Sequence, residues 1–135
     1  MEKRKKSFEV AGHTKLGNEK YFVGKYTDFQ ERKGWFVGSF FEDGHPCKTD
    51  KAEVQYVEQK AGHVCKRHYH QKKVEIVLIL EGRVVYTINS DKFELGKGGF
   101  LFVDTNNTIL GEFIEDTKYF CIHAPSIVDD KVKIE

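Results

Sequence analysis

His68 and His70 stand two residues apart and Glu75 follows five residues after His70, bracketed by Gly62 and Gly82. On an extended chain, side chains at i and i+2 share a face, so the two imidazoles point the same way and Tyr69 points opposite. Gln71-Lys72-Lys73 reads as a polar turn, after which Glu75 opens an antiparallel return strand and aims its carboxylate back at the imidazoles. Two neutral imidazoles and a carboxylate suit one divalent metal ion, Fe, Mn, Zn, Ni or Co, and leave coordination positions for water or substrate. Ligand type does not choose among these metals.

The elements that must position these groups are strands. Only Pro46 and Pro125 interrupt the chain, while 12 glycines and clusters of Asn, Asp and Lys divide it into short apolar runs. Residues 21–29, 35–41, 53–59, 64–70, 74–80, 83–89, 92–95, 100–103, 108–114 and 118–123 are rich in Val, Ile, Tyr and Phe, and each has the length of one strand. Asn89-Ser90-Asp91, between two such runs, predicts a hairpin. Closely spaced short strands, with 11 Phe and 6 Tyr to fill an interior, argue for a sandwich or a small closed barrel. Phe100, Phe102, Phe113, Tyr119 and Trp35 are expected in its core. Strand parity puts Lys66 on the His68 face and Cys65 on the other. His13, His45 and His63 read as surface residues.

Residues 62–82 match every specified position of G-x5-H-x-H-x4-E-x6-G, the first motif of the cupin superfamily. From the chain's own composition, coincidence would give this match about 2 times in 10,000. The sequence resembles a small single-domain cupin over about residues 34–131. The resemblance implies an all-β fold, an antiparallel jelly-roll barrel, with His68, His70 and Glu75 as metal ligands inside it. A second cupin motif should supply a fourth ligand from a histidine. Its counterpart here begins at Gly98 and is altered, with Asp104 at the first proline position, Asn106 at the glycine position and Ile109 at the histidine position. Additional ligand candidates are His123, which shares strand parity with Tyr119 and Cys121, and the amides of Asn106 and Asn107. Three protein ligands suffice for an open site, so His123 is expected to be dispensable. Cupins commonly pair through an exchanged or edge strand, so a homodimer is expected, with residues 15–29 supplying that strand.

Composition bounds the rest. A chain of 135 residues makes one domain, read as residues 7–135 behind a flexible basic tail at 1–6, and residues after Asp129 read as mobile or paired with a neighbouring chain. A net charge of +1 argues against nucleic acid as a partner. No apolar run approaches the roughly 20 residues of a membrane span, and the first ten residues lack a signal peptide's apolar region. Cys47, Cys65 and Cys121 include no CxxC pair, which suits reduced thiols and a cytoplasmic location. The expected function is chemistry of the oxygenase or isomerase type on a small oxygen-rich molecule at an open metal site. The alternatives are a non-catalytic small-molecule binding or sensory cupin, and a metal-independent sugar-nucleotide isomerase using His68 or His70 as acid or base.

Overall fold

The computed structural model describes residues 13–14 and 20–134, with side chains from residue 21 onward. The basic tail at residues 1–6 and residues 15–19 of the expected pairing segment lie outside the described residues. Among the described residues twelve strands follow in order: β1 (His13–Thr14), β2 (Lys20–Tyr21), β3 (Trp35–Val37), β4 (Glu53–Gln59), β5 (Val64–His70), β6 (Val74–Glu81), β7 (Arg83–Ile88), β8 (Asp91–Gly96), β9 (Phe100–Val103), β10 (Ile109–Phe113), β11 (Thr117–Ala124) and β12 (Lys131–Lys133). β1 pairs with β2. The other strands form two five-stranded antiparallel sheets, ordered β12-β5-β10-β7-β8 and β3-β4-β11-β6-β9. Alternation along the strands sends Val77, Ile79 and Val103 from one sheet and Val84, Tyr86, Ile109 and Phe113 from the other into one shared core. This is the cupin jelly roll, built as two facing sheets rather than one closed barrel.

Four expectations need correction. Residues 21–29 are not a strand beyond Tyr21, because Tyr26–Arg32 coils into a 3-10 helix. The helix is kinked at Phe29 (φ −114°, ψ 27°), and Tyr26 and Phe29 both meet Phe36 of β3, with Tyr26 also centred 4.7 Å from Tyr56 and 4.8 Å from Phe120. The described part of the expected dimer strand is therefore spent on packing within the chain. Residues 131–133 are not mobile: they form β12 against β5, with Lys131 opposite His70 and Lys133 opposite His68. Phe100 and Phe102 are 64% and 55% exposed, since β9 turns Leu101 and Val103 inward instead. His45 is half-buried, its ring stacked 4.1 Å from Phe41.

Both bracketing glycines of the motif have positive φ, +93° at Gly62 and +105° at Gly82. At Gly82 a side chain would also collide with the strand entry at β11, since a Cβ there would lie 2.4 Å from the Asp116 carbonyl oxygen. Among the described residues, no helix is long and apolar enough to cross a membrane.

Candidate metal centre

His68 and His70 end β5, and Glu75 lies at the start of β6, but these two strands do not pair. They belong to opposite sheets, so Glu75 reaches the imidazoles across the interior and not along a hairpin. The connection is pinned from the far end of the chain. Buried Asp130 accepts backbone N–H bonds from Lys72 at 2.9 and 3.0 Å and from Lys73 at 2.9 Å. Glu75 Oε1 then lies 3.3 Å from His70 Nε2 and 3.9 Å from His68 Nε2, and the three donors lie within 4.8 Å of one another. His68 Nδ1 donates to the Lys66 carbonyl at 2.8 Å, which leaves Nε2 facing inward.

β11 runs between β4 and β6, and its register sets His123 directly opposite Glu75 on one side and Glu53 on the other. His123 Nδ1 donates to Glu53 Oε2 at 2.7 Å, and Nε2 faces Glu75 Oε1 at 3.6 Å. Cys121, one inward position earlier, has its sulfur 3.5 Å from His123 Nε2 and 3.7 Å from Glu75 Oε2. Glu75, Cys121 and His123 thus form a second compact donor group that shares Glu75 with the first. Behind them Glu53 also accepts from Lys73 Nζ at 2.6 Å and Ser126 Oγ at 2.8 Å. Lys73 is accordingly buried, not part of an exposed polar turn.

Electrostatics follow this geometry. Burial would raise the pKa of Glu53, but hydrogen bonds from His123, Lys73 and Ser126 outweigh it and hold the carboxyl at about 2. Burial likewise opposes charge on Glu75, yet His123, His68 and His70 keep it well below the usual carboxylate range. Burial disfavours His68 as a cation, but Cys65, Glu75 and the Lys66 carbonyl push it up to about 9. Burial first, then Glu75, pushes the Cys121 thiol far up.

His68, His70, Glu75, Cys121 and His123 line a cavity of roughly 160 Å³ with Trp35, Gln55, Tyr86, Ile109, Phe113, Tyr119 and Lys131. Cys65 lines it as well, against strand parity, while Lys66 is exposed. The reason is a bulge: Ile109 pairs with His68 but Gly111 pairs with Cys65, so β5 spends one extra residue between them and the alternation resets. Ile109 lies buried opposite His68, on the cavity wall. Asn106 and Asn107 are not among the lining residues. Asn106 is exposed at a φ of 65°, and the Asn107 amide is engaged with the Asp104 and Thr105 carbonyls and with Asn89. Sequence reasoning missed Lys131 and the inward Cys65, because β12 and the bulge left no local signal. The parity shared by Cys121 and His123 was legible.

Residues 55–108 match the family model of the cupin domain. Among solved structures the fold is similar to Streptomyces Pac13, a nucleoside dehydratase also solved with uridine, at 18% identity and a TM-score of 0.59, covering 64% of this chain and 71% of that one. It is similar to KdgF from Halomonas sp. at 18% identity and a TM-score of 0.57, covering 60% and 74%. A cupin protein from Bacteroides fragilis is 26% identical with a TM-score of 0.53, covering 59% and 70%. A comparison with curated proteins finds no match. The family match over residues 55–108 and the similar cupin structures together support a small cupin-superfamily domain.

Proposed function

We propose that this protein is a metal-dependent cupin that holds one divalent ion through His68, His70 and Glu75 and acts on a small, oxygen-rich, anionic molecule. The observation that carries this reading is a set of buried polar atoms without partners: Glu75 Oε1 and both ring nitrogens of His70 make no hydrogen bond, although Glu75 Oε1 and His70 Nε2 face one another at 3.3 Å inside the cavity. Leaving such groups unpaired costs about 1–3 kcal/mol each, and an ion among them removes that cost. The donor set fits, since imidazole nitrogens and a carboxylate suit Fe, Mn, Co, Ni and Zn. When bound, such an ion supplies Lewis-acid polarisation of a carbonyl or enolate oxygen.

The chain's own residues do the rest. The Lys66 carbonyl fixes the His68 tautomer, and Ile109, Phe113, Tyr86 and Tyr119 exclude water from the cavity floor. Lys131, exposed and opposite His70, offers a cation at the cavity wall, which favours a carboxylate or similar anion. The cavity is close to the ~150 Å³ void that accepts benzene, so the reacting part of the substrate is on the order of six non-hydrogen atoms. A whole nucleoside such as the uridine held by Pac13 exceeds that volume. A cytoplasmic homodimer completes the proposal, supported by thiols without disulfides and by the apolar outer side of edge strand β9.

The test is elemental analysis of protein purified without chelator, then a thermal-shift screen of small carboxylates and sugar acids on the metal-loaded protein. About one divalent ion per chain and stabilisation by an anion are expected, and a metal-free protein that takes up no added ion refutes the reading. For any ligand found, oxygen consumption separates oxygenase from isomerase, and binding with no chemical change marks the non-catalytic module.

A further inference from the structure

The sulfur of Cys121 is the one soft donor in contact with both Glu75 and His123, and nothing in the first cupin motif accounts for it. Its distances, 3.5 Å to His123 Nε2 and 3.7 Å to Glu75 Oε2, match the spacing between neighbouring ligands around an ion with bonds of 2.0–2.3 Å, roughly 3.4–3.8 Å. Glu75 Oε1, buried and without a hydrogen bond, is the hub of the cluster, with His68, His70 and His123 nitrogens 3.3 to 3.9 Å away. Charge gives an independent argument. A divalent ion held by neutral imidazoles and Glu75 alone leaves one positive charge on the ion and its ligands, because Glu53 is already balanced by Lys73 at 2.6 Å and Asp130 sits behind the His70 ring, 4.0 Å from Nδ1, rather than among the donors. A thiolate closest to Glu75 and His123 makes the ion and its ligands neutral.

We infer that Cys121 is a thiolate ligand of the ion held at Glu75, joined by His123, and that it makes this site selective for a thiophilic divalent ion such as Zn(II) or Co(II) over Mn(II). The inference rests on the metal-centre reading above. On metal entry the Cys121 proton leaves to solvent and the sulfur lone pair forms the bond, with no change of oxidation state.

The experiment is cobalt(II) titration of the full-length protein, followed by absorption spectroscopy. The expected result is a sulfur-to-cobalt charge-transfer band in the near ultraviolet for the wild type, lost in Cys121→Ser and kept in Cys65→Ser and Cys47→Ser. In parallel, Cys121→Ser lowers Zn(II) affinity at least about tenfold and changes Mn(II) affinity far less. Circular dichroism checks that the variants fold. If Cys121→Ser does not fold, persistence of the band in both other cysteine variants still assigns it to Cys121. Bound cobalt with ligand-field bands but no charge-transfer band overturns Cys121 ligation and leaves the His68–His70–Glu75 reading standing. A band that disappears in Cys65→Ser overturns it in favour of the other thiol. Protein that binds no cobalt overturns both.

Discussion

His123 Nδ1 and Glu53 Oε2 are 2.7 Å apart in the buried space between β4 and β11, with the other ring nitrogen of His123 turned to Glu75. A carboxylate that holds one imidazole nitrogen orients the other, which is how a metal-binding histidine is kept in position. The sequence reading makes His123 dispensable; in the metal centre proposed above, this geometry would give it a share of the metal affinity. His123→Ala is expected to weaken metal binding by about tenfold or more yet leave it measurable, since His68, His70 and Glu75 form a compact donor set without it. Chelator competition reads the affinity, and a wild-type value in the variant contradicts the assignment.

His68→Ala with His70→Ala removes two of the three donors of the first set. The ratio of metal to protein after gel filtration should fall below about a tenth of the wild-type value, because the coordinate bonds and the geometry are lost together. A ratio unchanged in a folded double variant places the ion elsewhere.

Glu53 contributes an acid-sensitive part of the stability. Its carboxyl, ordinarily near 4.5, is held at about 2 in the folded protein, so the stabilisation is complete above 4.5, declines as pH falls and is gone below about 2. The difference corresponds to about 3 kcal/mol. Glu53→Gln should flatten the fall in unfolding free energy between pH 5 and 3, measured by urea denaturation. At pH 7 it should destabilise by about 3 kcal/mol, since Lys73 is left buried without its partner. A variant that keeps the wild-type acid slope rejects this account.

Ile109→His should raise metal affinity at least about tenfold, or ~1.4 kcal/mol, because position 109 lies opposite His68 on the cavity wall. The same change should lower the stability of the metal-free protein by about 2–3 kcal/mol, through lost burial and a polar ring in the core. An affinity equal to the parent's would mean that the new ring does not reach the donors.

Gly82→Ala should destabilise the fold by about 2 kcal/mol or more. It forces a side chain onto a φ of +105° and against the Asp116 carbonyl. Thermal or chemical denaturation measures the loss, and a change below half of that indicates that the β6–β7 turn relaxes freely.

Lys131→Glu should abolish stabilisation by any anion found in the ligand screen while leaving metal content unchanged, because the side chain faces the cavity without contributing a ligand donor. Retained anion binding would show that Lys131 serves the surface alone.

The donors His68, His70 and Glu75 and the boundaries of β4, β5 and β9 were legible locally, because period-2 alternation and glycine punctuation are properties of short segments. Ile109 on the cavity wall likewise agrees with the register read for the second motif. What the sequence could not decide depends on partners distant along the chain. Whether Glu75 meets the imidazoles along a hairpin or across two sheets is a matter of strand pairing, and the local pattern is the same for both. The bulge that turns Cys65 inward exists only in the pairing of β5 with β10, so parity counted along β5 alone fails there. Tyr26 and Phe29 suit a strand or a 3-10 turn equally, and the packing of Tyr26 on Tyr56 and Phe120 and of Phe29 on Phe36 and Phe41 chose the turn. His123 and Lys131 joined the site because β11 runs between Glu53 and Glu75 and because β12 closes against β5, long-range contacts that no local spacing encodes.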